Sequence, residues 1–190
     1  TIPEIASNIL KNAPKKFILA GLSLGGIVAL ELVRQSPEKI QKLILMDTSH
    51  QAEPEHISIK RERQIRDVKK GNLQKVMIEE HIPNYFANQS MSGSISKICI
   101  QMALKLGAEV FMQQSRALIS RTDQTKTLQK IKVPTMVLCG KHDRLCDIKI
   151  HKKMHKLINE STLNIIDDAG HLPTLESPLK TNRILKEWLK

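Results

Sequence analysis

The sequence predicts an α/β fold built on a parallel sheet, and three observations carry that expectation. Four short apolar, β-rich runs, Phe17 to Leu22, Leu43 to Asp47, Thr135 to Cys139 and Leu163 to Ile166, are each followed by a loop. They are uninterrupted rather than alternating, as strands covered on both faces require. Helical periodicity separates the first two runs and returns after the last.

Taken in order, Ile2 to Leu10 can form a helix ahead of the first strand, and Phe17 to Leu22 is that strand. Ile27, Leu30 and Val33, with Leu32 beside them, recur at helical spacing until Ser36-Pro37 ends the pattern. This is a crossover helix leading to the second strand. From His50 to about Arg121 the β signals vanish, and helix-like stretches fall near 55–70, 72–81, 94–106 and 108–121. Pro83 and the stretch from Ser90 to Ser94 read as breaks, and Met77, Met91, Met102 and Met112 make the insertion methionine-rich. At the C-terminal end, Ser177-Pro178 offers an N-cap and a first-turn proline, and Leu185, Trp188 and Leu189 fall on one helical face.

Composition bounds the function. A chain of 190 residues that is 41% hydrophobic can bury one core, with room for a subdomain. No run of about 18 apolar residues occurs, and the start lacks the apolar block of a signal peptide, so no membrane partner is expected. The sequence begins at Thr1 rather than Met, which points to a translation start further upstream. Cys99, Cys139 and Cys146 are odd in number and lack CxxC spacing, which fits reduced thiols and a cytoplasmic location.

A net charge of +11 gathers acidic partners without naming one. The charge clusters at Lys60, Arg61, Arg63, Arg66, Lys69 and Lys70, and again at Lys141, Arg144, Lys149, Lys152, Lys153 and Lys156. Nucleic-acid binding would add a reading motif or interleaved aromatics, and with 3 Phe, 1 Tyr and 1 Trp no nucleic-acid partner is expected. Both clusters read as solvated surface.

The chemistry lies in Ala20-Gly21-Leu22-Ser23-Leu24-Gly25-Gly26, a Gly-x-Ser-x-Gly turn between a strand and a helix. So sharp a turn leaves its flanking positions almost no room for side chains, which accounts for the glycines. It lifts the serine hydroxyl above the carboxyl edge of the sheet and aims the Leu24 N–H at a developing oxyanion. A serine needs a general base held by a carboxylate. Candidates follow the later strands: Asp143 in Gly140-Lys141-His142-Asp143, and His171 in Ala169-Gly170-His171-Leu172-Pro173, with Asp47 after the second strand as a competing acid. His151 and His155 are four apart, but no glutamate follows the first and no third ligand is evident, so they read as a solvated helical face. His142 reads as a loop residue. No metal and no cofactor is expected.

With AGLSLGG, LILMDTS, IKVPTMVLCGKHD and DAGHLPTLESP in this order, nearly the whole chain resembles the α/β-hydrolase family. The resemblance implies a parallel-sheet α/β-hydrolase fold in which residues 1–49 and 122–190 form the core and 50–121 an inserted helical cap. It also implies that Ser23 attacks, His171 relays the proton, Asp143 holds the imidazole and Leu24 gives one oxyanion-hole N–H. The activity implied is a serine esterase cleaving a small-molecule carboxylic ester, thioester or lactone; acyl transfer and carbon–carbon bond hydrolysis use the same residues. An acidic carrier protein docking on Lys60 to Lys70 is a further expectation.

The family places several strands before the elbow, one of whose loops supplies a second oxyanion donor, whereas only 22 residues precede Ser23. The chain therefore reads as the C-terminal part of a hydrolase whose first strand is a bare edge. That edge is expected to pair with an upstream N-terminal segment or to self-associate. The competing function is a non-catalytic fragment acting as a dimerising or interaction module.

Overall fold

A computed structural model of the chain describes residues 1–88 and 92–190. Four parallel strands, β1 (Phe17–Leu22), β2 (Ile40–Met46), β3 (Thr135–Gly140) and β4 (Ser161–Ile166), form one sheet in the order β1-β2-β3-β4. β2 begins three residues earlier, and β4 two residues earlier, than the apolar runs suggest. Both additions are polar-containing strand ends, which an apolar-run criterion cannot see.

Before the sheet comes α1 (Ile2–Asn12), whose N-terminus is closed by a capping box between Thr1 and Glu4. The crossover helix α2 (Leu24–Gln35) starts at the elbow and ends at Ser36, before Pro37. In β2, Leu43 and Leu45 face a core with α2, α6 (Thr125–Leu128) and α7 (Ile148–Leu157), through Leu30, Leu128 and Met154. Ile44 and Met46 face the opposite core, against Leu185 and Trp188 of α9 (Pro178–Leu189), which follows the short α8 (Pro173–Glu176). Burial on both faces is why the middle strands β2 and β3 do not alternate. The Ser177 side chain does not cap α9; the Ser177 carbonyl instead accepts from the Thr181 hydroxyl at 2.9 Å.

Between β2 and β3 the chain is helical. α3 (Glu55–Lys69) is followed by α4 (Leu73–Val76), which widens into a π-type turn over Met77–His81 and then a 3-10 turn carrying Pro83. α5 (Ser92–Ile119) is broken at Gly107, whose φ of 87° is left-handed, so the two expected stretches meet at the one residue that tolerates this conformation. Val68, Leu73, Val76 and Met112 give these helices a core of their own. Met91 and part of the Ser90 to Ser94 break lie outside the described residues. Among the described residues no helix is long and apolar enough to cross a membrane.

The edges differ from the middle. All six residues of β3 are buried, whereas β1, paired on one side with β2, leaves Ile18 46% exposed.

Candidate active site

The sheet gathers four chain segments at its carboxyl end, and each brings a polar side chain. At the end of β1 the backbone reverses through Ser23, which has φ 54° and ψ −118° and whose N–H donates to the Met46 carbonyl at 2.9 Å. Such a conformation is costly for a residue with a side chain and is held by the packing around it. A β-carbon on Gly21 would lie 2.3 Å from the Gly25 carbonyl oxygen, and one on Gly26 would strike the Thr48 side chain at 2.5 Å. Gly25, by contrast, faces open space. The tight positions are therefore Gly21 and Gly26, not both glycines of the Gly-x-Ser-x-Gly motif. Thr48 pins the turn further, its hydroxyl donating to the Ser23 carbonyl at 2.7 Å. Leu24 begins α2, where the first N–H groups of a helix have no intrahelical partner and point outward.

The Ser23 hydroxyl meets His171. Ser23 Oγ lies 2.8 Å from His171 Nε2, and His171 Nδ1 lies 2.9 Å from Asp143 Oδ2. The imidazole is 4% exposed and the carboxylate 0%. Asp143 Oδ1 accepts from the backbone N–H groups of Leu145 (2.8 Å) and Cys146 (3.0 Å). Burial pushes the Asp143 carboxyl up, but the His171 hydrogen bond and these N–H donors outweigh it and hold the group below the usual aspartate value.

Two loops are stitched together to achieve this. The Lys141 and His142 N–H groups donate to the Ile166 and Ala169 carbonyls at 2.9 and 3.0 Å, and a β-carbon on Gly140 would fall 1.9 Å from the Gly170 oxygen. From the helical segment, the Tyr85 carbonyl accepts the His171 N–H at 2.8 Å, and the Tyr85 ring stacks on the imidazole with centroids 5.8 Å apart. Glu176 closes the assembly by accepting from Gly170, Leu172 and Ala87 N–H groups at 2.9, 3.1 and 2.7 Å. Tyr85 and Glu176 carry no motif that singles them out in the sequence, although Glu176 lies within the DAGHLPTLESP stretch.

Asp47 is placed differently. It is fully buried at φ 43°, its Oδ1 accepts from the Gly140 N–H at 2.8 Å, and it makes no hydrogen bond to His171. Burial first, then the nearby Asp143 charge, push its carboxyl up to about 9, so it is protonated at neutral pH despite the opposing Gly140 bond.

The other histidines also separate. His151 is not a solvated residue: it is fully buried, and its Nε2 accepts the Thr48 N–H at 3.0 Å while Nδ1 lies 3.2 Å from the Asp147 carbonyl. The expected solvated face failed because α7 packs directly on β3 and presents this side chain to the end of β2. His155 is tied to Ser161 at 2.8 Å, and His142 is exposed.

A cavity of about 530 Å³ opens beside Ser23 and His171. Its walls are mainly apolar and come from both the sheet loops and the helical segment, with Met77, Met102, Leu106 and Phe111 among them. That size and character suit a small organic ligand. Burial is the main cause of His81 falling to about 4 and Tyr85 rising to about 12, so both are neutral where they line this space.

Comparison with known proteins agrees with this architecture. The family model described as serine aminopeptidase, S33 matches residues 4–178. A protein of Bacillus subtilis (strain 168), provisionally named 2-succinyl-6-hydroxy-2,4-cyclohexadiene-1-carboxylate synthase, is 25% identical over 185 residues. That match covers 92% of this chain and 66% of the relative, so the chain spans just under two-thirds of the relative's length. The structure of a thermophilic esterase from Thermogutta terrifontis, malate bound, superposes with a TM-score of 0.90 at 28% identity, covering 100% of this chain and 72% of that one. An enol-lactonase from Burkholderia xenovorans LB400 shares the fold at a TM-score of 0.87 and 17% identity, over 100% of this chain and 73% of its own.

Proposed function

The chain belongs to the serine aminopeptidase S33 family of α/β-hydrolases, and on that premise we propose that it is a serine hydrolase cleaving a small carboxylic ester, thioester or lactone through an acyl-enzyme on Ser23. One observation carries this reading: the continuous hydrogen-bonded line from Ser23 Oγ through both nitrogens of His171 to Asp143, at 2.8 and 2.9 Å. The likeness to the Thermogutta terrifontis esterase supports the ester class.

In this scheme a substrate carbonyl enters the cavity above Ser23. As the serine oxygen bonds to the carbonyl carbon, its proton passes to His171 Nε2, and Asp143 stabilises the imidazolium through Nδ1. The negative charge forming on the carbonyl oxygen is met by the Leu24 N–H at the start of α2, where the helix dipole is also favourable. His171 returns its proton to the leaving oxygen or sulfur, leaving the acyl group on Ser23. Water then repeats the sequence, with His171 as base, and releases the acid. Residues 50–121 act as a helical cap whose side chains form the acyl pocket; the flexible Met77 and Met102 let that pocket adapt.

Labelling with a fluorophosphonate probe tests the reading. Ser23 of the folded chain is expected to be modified stoichiometrically, with labelling abolished in Ser23→Ala and kept in Lys149→Gln. A cooperatively folded chain that takes no label would overturn it.

A further inference from the structure

Charge is not balanced inside the cavity. Glu53, in the loop after β2, is the one carboxylate on its wall among the described residues, and its side chain is 2% exposed. Two guanidinium groups pair with it: Arg61 of α3 donates from Nε to Oε1 at 3.2 Å, and Arg121, just beyond α5, lies 2.8 Å from Oε2 as an ion pair outside hydrogen-bond geometry. Arg121 is fixed by donating from Nε to the Gln51 carbonyl at 2.9 Å. Among the described residues neither terminal nitrogen of Arg61 has a hydrogen-bond partner. The set therefore carries one uncompensated positive charge, on the wall of a largely apolar cavity shared with Ser23 and His171.

Arg61 is 20% exposed, so water reaches its free nitrogens only in part, and a charge so placed gains by pairing with an anion. Arg121 feels this directly, since burial and then the neighbouring Arg61 lower its proton affinity against the opposing pull of Glu53. A second observation lies on the same wall. His81 Nε2 is buried without a partner, on a ring kept neutral by burial and by the positive Arg61 and Lys60. A neutral ring nitrogen beside an unsaturated guanidinium offers a hydrogen-bonding group to a ligand and adds no charge of its own.

We propose that the substrate of this cavity carries a carboxylate remote from its scissile bond, and that Arg61 and Arg121 bind it. The assignment of a scissile bond rests on the hydrolase reading above; the anion site itself does not. Arginine presents two parallel N–H donors that match a carboxylate, and one negative charge neutralises the set. A phosphate monoester, at about −1.5 to −2, would overcompensate the set of Glu53, Arg61 and Arg121; Arg144, also on the wall, is exposed and donates to the Pro83 carbonyl at 3.1 Å. Met102, Leu106 and Val110 are among the apolar wall residues that can receive the hydrocarbon between the two ends. Arg61 is thus separated from the rest of its basic cluster: it is an inward-facing residue with a side-chain exposure of 20%, against 50% for Arg63.

The test compares the nitrophenyl half-ester of adipic acid with nitrophenyl hexanoate, which has the same chain length and no distal charge. Wild-type kcat/KM is expected to be at least tenfold higher for the half-ester, and Arg61→Gln is expected to lower that ratio about tenfold, or about 1.4 kcal/mol. A wild-type ratio at or below one, or an Arg61→Gln loss that is equal for both esters, overturns the proposal. The wild-type ratio decides the matter even if the variant fails to fold. If neither ester is cleaved, it is the hydrolase reading that fails, and the anion site is judged separately by calorimetry with monomethyl adipate on the Ser23→Ala chain. Saturable binding that weakens tenfold on adding Arg61→Gln upholds the site; no saturable binding overturns it.

Discussion

Ser23 Oγ and His171 Nε2 are 148 residues apart in sequence and 2.8 Å apart in space. If this contact is the proton path, Ser23→Ala removes the nucleophile while leaving fold and cavity in place. Turnover of a nitrophenyl ester is expected to fall by at least about 10³-fold, with the unfolding midpoint unchanged within a few degrees. Steady-state kinetics beside a thermal melt measure both, and retained turnover would remove Ser23 from the mechanism.

The two aspartates make opposite predictions. Asp143 is bonded to the imidazole and Asp47 to the Gly140 backbone, so Asp143→Asn should cost about 10⁴ in kcat by favouring the wrong histidine tautomer. Asp47→Asn should cost less than about tenfold, equivalent to 1.4 kcal/mol. A crippled Asp47→Asn with an active Asp143→Asn would reverse the assignment.

Asp47 and Asp143 also pull stability in opposite directions as pH changes. The Asp143 carboxyl is held below its ordinary value of 3.8, so its contribution is present above that value and is lost as pH falls through the lowered one. The Asp47 carboxyl is raised from 3.8 to about 9, so the native state keeps a proton that the unfolded chain releases. Its contribution is complete below pH 3.8 and declines as pH rises toward about 9. Asp47→Asn should flatten that decline, by at most about 1.4 kcal/mol per pH unit. Urea titrations across this range measure the slope, and an unchanged slope would show that Asp47 ionises normally.

The elbow glycines are not equivalent. Gly21→Ala sets a methyl group 2.3 Å from the Gly25 backbone oxygen and should destabilise the fold by about 1–3 kcal/mol or more. Gly25→Ala meets nothing within 4 Å and lies inside α2, where alanine is the better helix former, so stability should hold or rise. Denaturant midpoints of the two variants test the pair, and equal losses would contradict the packing described here.

The outer edge of β1 supports a final expectation. It has no neighbouring strand among the described residues and leaves Ile18 46% exposed, so the 190-residue chain should sediment as an assembly rather than a monomer at micromolar concentration. A monomer that unfolds cooperatively would refute it.

By itself, the sequence determined what local rules govern. The four strands, the crossover helix, the separate helical stretches at 94–106 and 108–121 and the elbow at Ser23 all follow from apolar runs, periodicity and the elbow glycines within a few residues. The family resemblance added the order of serine, aspartate and histidine along the chain. The resemblance also named Asp143 over Asp47, but only the tertiary structure gives the reason Asp143 reaches the histidine, which is that Gly140 and Gly170 meet backbone to backbone across two loops. The tertiary structure also buried His151 and turned Arg61 inward, both of which had read as solvent-facing. Tyr85 and Glu176 joined the site for the same reason: each acts through contacts between segments distant in sequence. Local pattern fixes which way a side chain leaves its own helix or strand, but what it then meets is set by how separate elements pack, and no short window of sequence records that.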